Sequence, residues 1–527
     1  MSFLRGIDAM AEVPGYMRRL RSLASSFRDA GEALAGRPRP VLSMCRRCLQ
    51  WIDGNKIVGA GIPVSSRLRE PYPEVTGYCI PTLLNFGRSD LALQFARWLT
   101  SVQNVDGSWS DASGRTPYTF DSGQVLKGLL AVLPRLPEVE SAVRRGCEWV
   151  LAQIAQDGRV TTPDRSAWVL QGGEEVSGNI HLYALEPLRD AGMLFDEPRY
   201  VDAVERAVAC CLSQPGLVRF NTLSHFHAYV IEALVDLGLR EVAAKGMREI
   251  ERLQKKDGSI PAYRNKSWVC STGVAQYATV WYKLGSRESA ERALSYLTRI
   301  QNRSGGFFGS YGRGAKYFPD EEISWAVKFA LDASCWQIRT AFDAEVDLFP
   351  DTIEERDGRF QAVLKGLGDI SGLCVLDAGC GKGRFAKALT GRYPSAAMWG
   401  VDISDAMLLH VPPGIKTKQG SLLNLPFGDR CFDRVYCVEA LEHAIDPSAA
   451  VSELCRVAKP GGRIVIIDKN VKRKGSLKIE EWEQWFEQSE VEALLRRHCN
   501  DVSSEFIAYE ERQEPDGLFL VWLGIRI

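Results

Sequence analysis

The chain has 527 residues, 45% of them apolar, and a formal net charge of -1. That length holds two to four domains with ample core, and the near-neutral balance gives no electrostatic reason for a polyanion partner. No apolar run reaches the roughly 18–20 residues of a membrane span, no signal peptide is visible, and fourteen cysteines without a short-scaffold pattern suit a reducing cytosol.

Residues 1–38 read as a helical leader. From 39 to 340 a two-part unit recurs. One part is a short apolar helix, opening near Gly77, Phe120, Gly178, Leu223, Val269 and Glu322, at intervals of 43, 58, 45, 46 and 53 residues. The other is a charged amphipathic helix, as over 91–103, 142–153, 241–254 and 288–301, ending in a polar turn with Gln. Three such turns are Gln103-Asn-Val-Asp-Gly, Gln254-Lys-Lys-Asp-Gly and Gln301-Asn-Arg-Ser-Gly, and Gln153 reaches Asp157-Gly158. Six apolar helices inside six amphipathic ones resemble the (α/α)6 toroids of terpene cyclases, prenyltransferase β subunits, glucuronyl epimerases and polysaccharide lyases. The acidic motifs of terpene cyclases, Asp-x-Asp-Asp and Asp-Asp-x-x-Asp, are missing here. Asp332 and Cys335 have no following His in this domain to complete a zinc set. The carbohydrate resemblance implies a polar cleft instead.

His181, His225 and His227, half of the six histidines, fall at inner-helix openings, with Tyr183, Tyr229, Tyr118, Asp121 and Gln124. Such residues would converge on one mouth, where a His or Tyr could abstract a proton beside a uronate carboxyl. His181, His225, His227 and Tyr229 are the catalytic candidates; the alternative is that they cap and pack. The pair Cys45 and Cys48 reads as two thiols on a helix rather than a metal site.

Residues 341–357, acidic and with a Pro, read as a linker. From 358 to 527 the pattern is α/β. Cys374–Leu376 is a buried strand closed by Asp377, and Gly379, Gly381 and Gly383 make a bare turn into a helix. A second strand ends at Asp402, nineteen residues after Gly383, where a carboxylate can accept from both ribose hydroxyls. Gly420 to Phe427 follows, then a strand over 431–438, and Glu439 to His443 lies just past its carboxyl end. Phe506–Tyr509 and Leu518–Ile527 read as a closing hairpin.

This series resembles class I S-adenosylmethionine-dependent methyltransferases over about 363–527. The resemblance implies a doubly wound Rossmann-like domain, so the chain reads as multidomain: an all-α toroid, then this domain. It assigns Asp377, Gly379 and Gly381 to the methionine end of S-adenosylmethionine, Asp402 to the ribose, and Ser421 and Leu422 to the adenine. Glu439 is a further cofactor contact, and Glu439 or His443 a general base. Glu439-x-x-Glu442-His443 also resembles a metal-binding motif of some O-methyltransferases; no metal is expected. The cluster Lys469, Lys472, Arg473 and Lys474 could meet an anionic acceptor.

The expected whole is a cytoplasmic methyltransferase of a saccharide or glycan intermediate, with no nucleic-acid partner. The alternatives are an isoprenoid or quinone acceptor, or a toroid that only binds.

Overall fold

In a computed structural model, the structure describes residues 41–164, 178–475, 479–480, 482–510 and 512–527. The predicted leader, 1–38, lies outside them. The chain divides into two compact units: Met1–Thr82 with Asp90–Gln337, and Leu83–Ser89 with Ile338–Ile527.

The first unit alternates two kinds of helix. One kind is α1 (Val41–Asn55), α3 (Ser89–Ser101), α5 (Glu140–Ala152), α7 (Pro198–Leu212), α9 (Arg240–Leu253) and α11 (Arg287–Ile300). Each is buried along one stripe; in α9 that stripe is Ala243, Gly246, Met247 and Ile250. The other kind is α2 (Pro73–Asn85), α4 (Thr119–Val132), α6 (Leu185–Phe195), α8 (Ser224–Asp236), α10 (Ser271–Leu284) and α12 (Ser324–Ala344). These are buried far more completely; in α10 every residue from Ser271 to Tyr282 is. The predicted opening at Gly178 is a 3-10 helix, Gly178–Ala184, that runs into α6. A short β1 (Val269–Cys270) pairs with β2 (Ser310–Tyr311).

Three of the Gln turns join one stripe helix to another, while Gln153 Nε2 donates back to Trp149 O of its own helix at 3.2 Å. Gln103 Nε2 donates to Gly107 O and to Ala142 O of α5, both at 2.9 Å. Gln254 Nε2 donates to Ser289 O of α11 at 2.9 Å. Gln301 Nε2 donates to Gly305 O and to Met44 O of α1, at 2.9 and 3.1 Å. The turn glycines permit the approach. A Cβ on Gly258 would stand 1.9 Å from Arg292 O, and one on Gly305 2.1 Å from Arg47 O. The last turn therefore grips the first helix. On the apolar set, Trp325 Nε1 of α12 donates to Glu74 of α2 at 3.1 Å, and Thr82 to Asp332 at 2.6 Å. Cys45 and Cys48 are buried beneath the Gln301 turn, and burial raises the Cys45 thiol to about 12.

The second unit holds α13 (Gly358–Leu367), β3 (Cys374–Ala378), α14 (Arg384–Arg392), β4 (Ala397–Asp402), α15 (Asp405–Leu408), β5 (Lys416–Gln419), β6 (Phe432–Val438), α16 (Pro447–Val457), β7 (Ala458–Lys469), α17 (Gln488–Leu495), β8 (Cys499–Ile507) and β9 (Phe519–Arg526). The sheet order is β5-β4-β3-β6-β7-β9-β8, with only the β7–β9 and β8–β9 pairs antiparallel. The central strands are apolar on both faces, as parallel strands covered by helices must be. Phe360, Val375, Leu389, Met398, Val465 and Val521 build that core. The edge strand β5, Lys-Thr-Lys-Gln, is fully exposed, and its charge suits an edge. The hairpin is longer than predicted because β8 starts at Cys499.

The stretch 341–357 carries local structure of its own. Without Gly or Pro to stop it, α12 runs on to Ala344, a 3-10 turn covers Val346–Leu348, and Asp357 caps α13 by accepting from Arg359 N. The division between units falls earlier, after Gln337. Among the described residues, no helix is long and apolar enough to cross a membrane.

Candidate active site

The strand order reverses at β3, so a crevice opens beyond the carboxyl ends of β3, β4 and β6. Asp377 sits one residue before the end of β3, Asp402 ends β4, and Glu439 follows β6.

Asp377 is buried and accepts from the Tyr436 hydroxyl at 2.8 Å. Burial lifts it to about 7, and the Arg384 guanidinium opposes the rise. Asp402 is also pushed up by burial, against the backbone amides it accepts from: Gly381 N at 2.8 Å and Ser404 N at 2.9 Å. Gly381, at φ 52, has nothing within 4 Å of where a Cβ would be, so the turn leaves open space beside Asp402. Gly379, at φ 80, fits only without a side chain, since its Cβ would lie 2.3 Å from the Ala440 Cβ. Ser421 and Leu422 are half-buried in the loop after β5, and Ser421 Oγ accepts from Leu423 N at 3.2 Å. Open space at the turn, one carboxylate for hydroxyls and a buried carboxyl that a cation would ionise fit a cofactor with ribose, amine and sulfonium.

Glu439 and Glu442 do not converge. Glu439 Oε1 accepts from Arg359 at 2.8 Å and from Arg384 at 3.0 Å. Glu442, almost wholly buried, meets Lys469 at 2.5 Å; burial and then Asp468 push it up, and Lys469 opposes them. Carboxylates bound to different cations do not form the metal set that their spacing resembles, and no cluster of three or more candidate ligands occurs among the described residues.

His443 Nε2 faces Glu442 Oε1 at 3.5 Å, and its ring stands edge-on to Phe342 at 4.9 Å. Burial lowers it to about 4. Its Nδ1 is buried with no hydrogen-bond partner among the described residues, as are Glu442 Oε2 and Trp482 Nε1. The segment 482–486 lies alongside: Gln484 N donates to Glu442 O at 2.7 Å, and Trp485 Nε1 to Glu483 at 2.6 Å.

The basic cluster is only partly paired. Lys469 is taken by Glu442, Lys472 lies 3.9 Å from Glu487, and Arg473 lies 3.9 Å from Asp516. Lys472 and Arg473 point to solvent, at 71% and 52% side-chain exposure. Spacing alone showed the charges and not their partners.

In the helical unit the predicted residues are not at an open surface. His181, His225, His227, Tyr183, Tyr229 and Asp121 are all buried. His225 lies tilted against Tyr229 at 4.5 Å, Tyr229 packs on Tyr183 and Phe120 at 4.8 Å, and His225 Nδ1 meets Gln276 Oε1 at 2.6 Å. Burial lowers His225 to about 3. His227 uses both ring nitrogens, on the Tyr277 hydroxyl at 2.8 Å and Val218 O at 3.1 Å, so it packs and holds no lone pair for catalysis. Asp121 is taken by the Tyr72 hydroxyl at 2.6 Å, and the Tyr183 hydroxyl reaches Glu232 at 3.2 Å. Residues 165–177 lie outside the described residues.

Sequence reasoning missed Arg359, Arg384 and Tyr436. A Tyr in β6 opposite Asp377 was a readable signal, since the parallel register puts them side by side. The two arginines gave none, because Glu439 is 80 and 55 residues away from them.

The family described as Methyltransferase domain matches residues 376–466. A ubiquinone biosynthesis O-methyltransferase of Alkalilimnicola ehrlichii is 34% identical over 127 residues, 23% of this chain and 51% of that protein. A phthiotriol/phenolphthiotriol dimycocerosates methyltransferase of Mycobacterium leprae is 30% identical over 153 residues, 28% of this chain and 55% of that protein. The chain thus spans about half the length of these curated relatives. A crystal structure of a SAM-dependent methyltransferase from Aquifex aeolicus is 18% identical, covering 35% of this chain and 98% of that one with a TM-score of 0.29. The C-terminal unit carries a class I methyltransferase domain with a Rossmann-like, mostly parallel seven-stranded sheet.

Proposed function

We propose that the chain is an S-adenosylmethionine-dependent O-methyltransferase, with the methyltransferase domain over 358–527 and a helical domain over 39–340 that closes as an (α/α)6 toroid. The return of the Gln301 turn to α1 supports the ring. Asp377 and the turn at Gly379 and Gly381 hold the methionine end, Asp402 the ribose, and Ser421 with Leu422 the adenine. When bound, the cofactor supplies the methyl group as a sulfonium.

The base is His443, and its unpartnered Nδ1 carries this reading. The imidazole is neutral at pH 7 because burial holds it near 4. Nε2–H turned to Glu442 leaves the Nδ1 lone pair for the proton of an acceptor hydroxyl. Glu483 and, more weakly, Glu439 then favour the imidazolium that forms, against burial and Lys469. Glu439, held by two guanidinium groups, is not that base.

The acceptor is a neutral hydroxyl on an apolar molecule of the isoprenoid or quinone type. Phe342, Trp482 and Trp485 offer apolar walls, carboxylates outnumber the one lysine at the site, and both curated relatives named above are, by their names, quinone or lipid enzymes. The saccharide acceptor loses its motivation, because the histidines meant to line a cleft are buried. The test is transfer of an isotope-labelled methyl group from the cofactor into a cell extract. Label is expected in the organic-solvent fraction with wild type and not with His443→Gln. Label confined to the aqueous glycan fraction would overturn the apolar acceptor.

A further inference from the structure

We propose that Arg384 and Glu439 together receive the amino-acid head of the cofactor, the guanidinium taking its carboxylate and Glu439 its ammonium, with Arg359 as the positioning residue for Glu439. The inference rests on the cofactor reading above and deepens it.

Three observations carry it. First, Glu439 holds φ at 52, a left-handed conformation that a residue with a Cβ rarely adopts. Its N–H is tied to Ile467 O at 2.8 Å, so the unusual backbone is fixed and the side chain is aimed at the glycine turn and the start of α14. Second, the two arginines differ. Arg359 is clamped by Asp357 through Nε at 3.1 Å and Nη2 at 2.7 Å, and only its remaining nitrogen reaches Glu439. It is 9% exposed at the side chain and serves as a fixed wall behind the carboxylate. Arg384 has Glu439 as its one hydrogen-bond partner among the described residues and is 20% exposed. Third, Arg384 follows the Gly379–Gly383 turn directly and acts on Asp377, so it lies at the methionine end of the site.

At the amino-acid head the charges match. Asp357 neutralises Arg359, and Arg384 and Glu439 neutralise each other. An α-amino acid head is a zwitterion. Laid across the Arg384–Glu439 pair, it gives the guanidinium a carboxylate and gives Glu439 an ammonium, so no charge is left buried alone. Both arginines point at the same oxygen, Oε1, so Glu439 keeps its hold on Arg359 when Arg384 turns to the ligand.

Calorimetry with three probes separates the parts: S-adenosylmethionine, its decarboxylated form, and 5′-methylthioadenosine, which lacks the head entirely. Arg384→Met should weaken S-adenosylmethionine by roughly ten- to a hundred-fold and leave the other two unchanged. Glu439→Gln should weaken S-adenosylmethionine and the decarboxylated form alike and spare methylthioadenosine. Arg359→Lys should follow the Glu439→Gln pattern more mildly. Equal loss of all three probes in Arg384→Met, repeated in Arg384→Lys, would show a merely structural role and overturn the proposal. So would unchanged S-adenosylmethionine affinity in Arg384→Met. Wild type that binds methylthioadenosine but prefers neither headed probe would overturn it too. Wild type that binds none of the three would instead overturn the cofactor reading.

Discussion

His227 in the helical unit and His443 in the methyltransferase domain are both buried, and burial holds both near 4. One has both nitrogens taken by Tyr277 and Val218; the other keeps Nδ1 unpartnered among the described residues, beside carboxylates that suit its charged form. Burial and a lowered pKa do not separate a packing histidine from a poised one. The fate of the lone pair does. The same contrast runs through the acids. Glu232 is held by Lys283 well below the usual carboxylate range, at about 2, in spite of the burial that pushes it up, whereas Asp377 at about 7 waits on a cation.

The sharpest way to break this comparison is to remove the His443 ring. His443→Gln should lower the methyl-transfer kcat by about 10²–10⁴-fold, the usual range for a general base, with cofactor affinity unchanged by calorimetry. Rates within a factor of two of wild type would reduce His443 to packing as well. The helical unit should answer to packing instead. Gly258→Ala places a Cβ 1.9 Å from Arg292 O at φ +85 and should cost roughly 2–4 kcal/mol in denaturant unfolding. A change under about 0.5 kcal/mol would mean the turn does not bind α11 as described.

At the cofactor site, Asp402→Ala should weaken S-adenosylmethionine by roughly ten-fold to a few hundred-fold in a direct titration. Unaltered affinity removes the ribose role. The smallest effect tests His227 by pH. Its folded value, near 4, lies below the unfolded 6.5, so the unfolded chain binds the proton first on acidification. The stability this histidine contributes is therefore complete above pH 6.5 and declines toward pH 4. The cost of His227→Phe should shrink by about 2 kcal/mol between pH 7.5 and 5. A cost that stays constant or grows would show that the ring is charged in the fold.

Legibility followed how local each signal was. Asp377, the glycine turn and Asp402 were readable because strand, turn and helix are adjacent in sequence, and the structure sets them at neighbouring strand ends. Five of the six apolar openings lie within four residues of an α-helix start, and the one at Gly178 opens a 3-10 turn, since the pattern of buried residues is local. The fate of His227 was not readable, because Tyr277 comes from α10, 50 residues on. Within the basic cluster, the pairing of Lys469 was unreadable for the same reason: its partner Glu442 lies 27 residues earlier. The linker expected over 341–357 overlaps the end of α12. Acidic composition and one Pro at 350 did not outweigh a helix that meets no breaker before Ala344.

The grip of the Gln301 turn on α1 has a consequence for how the helical unit comes apart. Linear stacks of helix pairs have two outer repeats with a neighbour on one side only, and they fray from there. Here the pair that would be last is bonded to the one that would be first, at Met44 O and Cys48 Sγ. In the proposed toroid no repeat is terminal, so melting would have no preferred starting point, and the unit should unfold in one cooperative step rather than unzip.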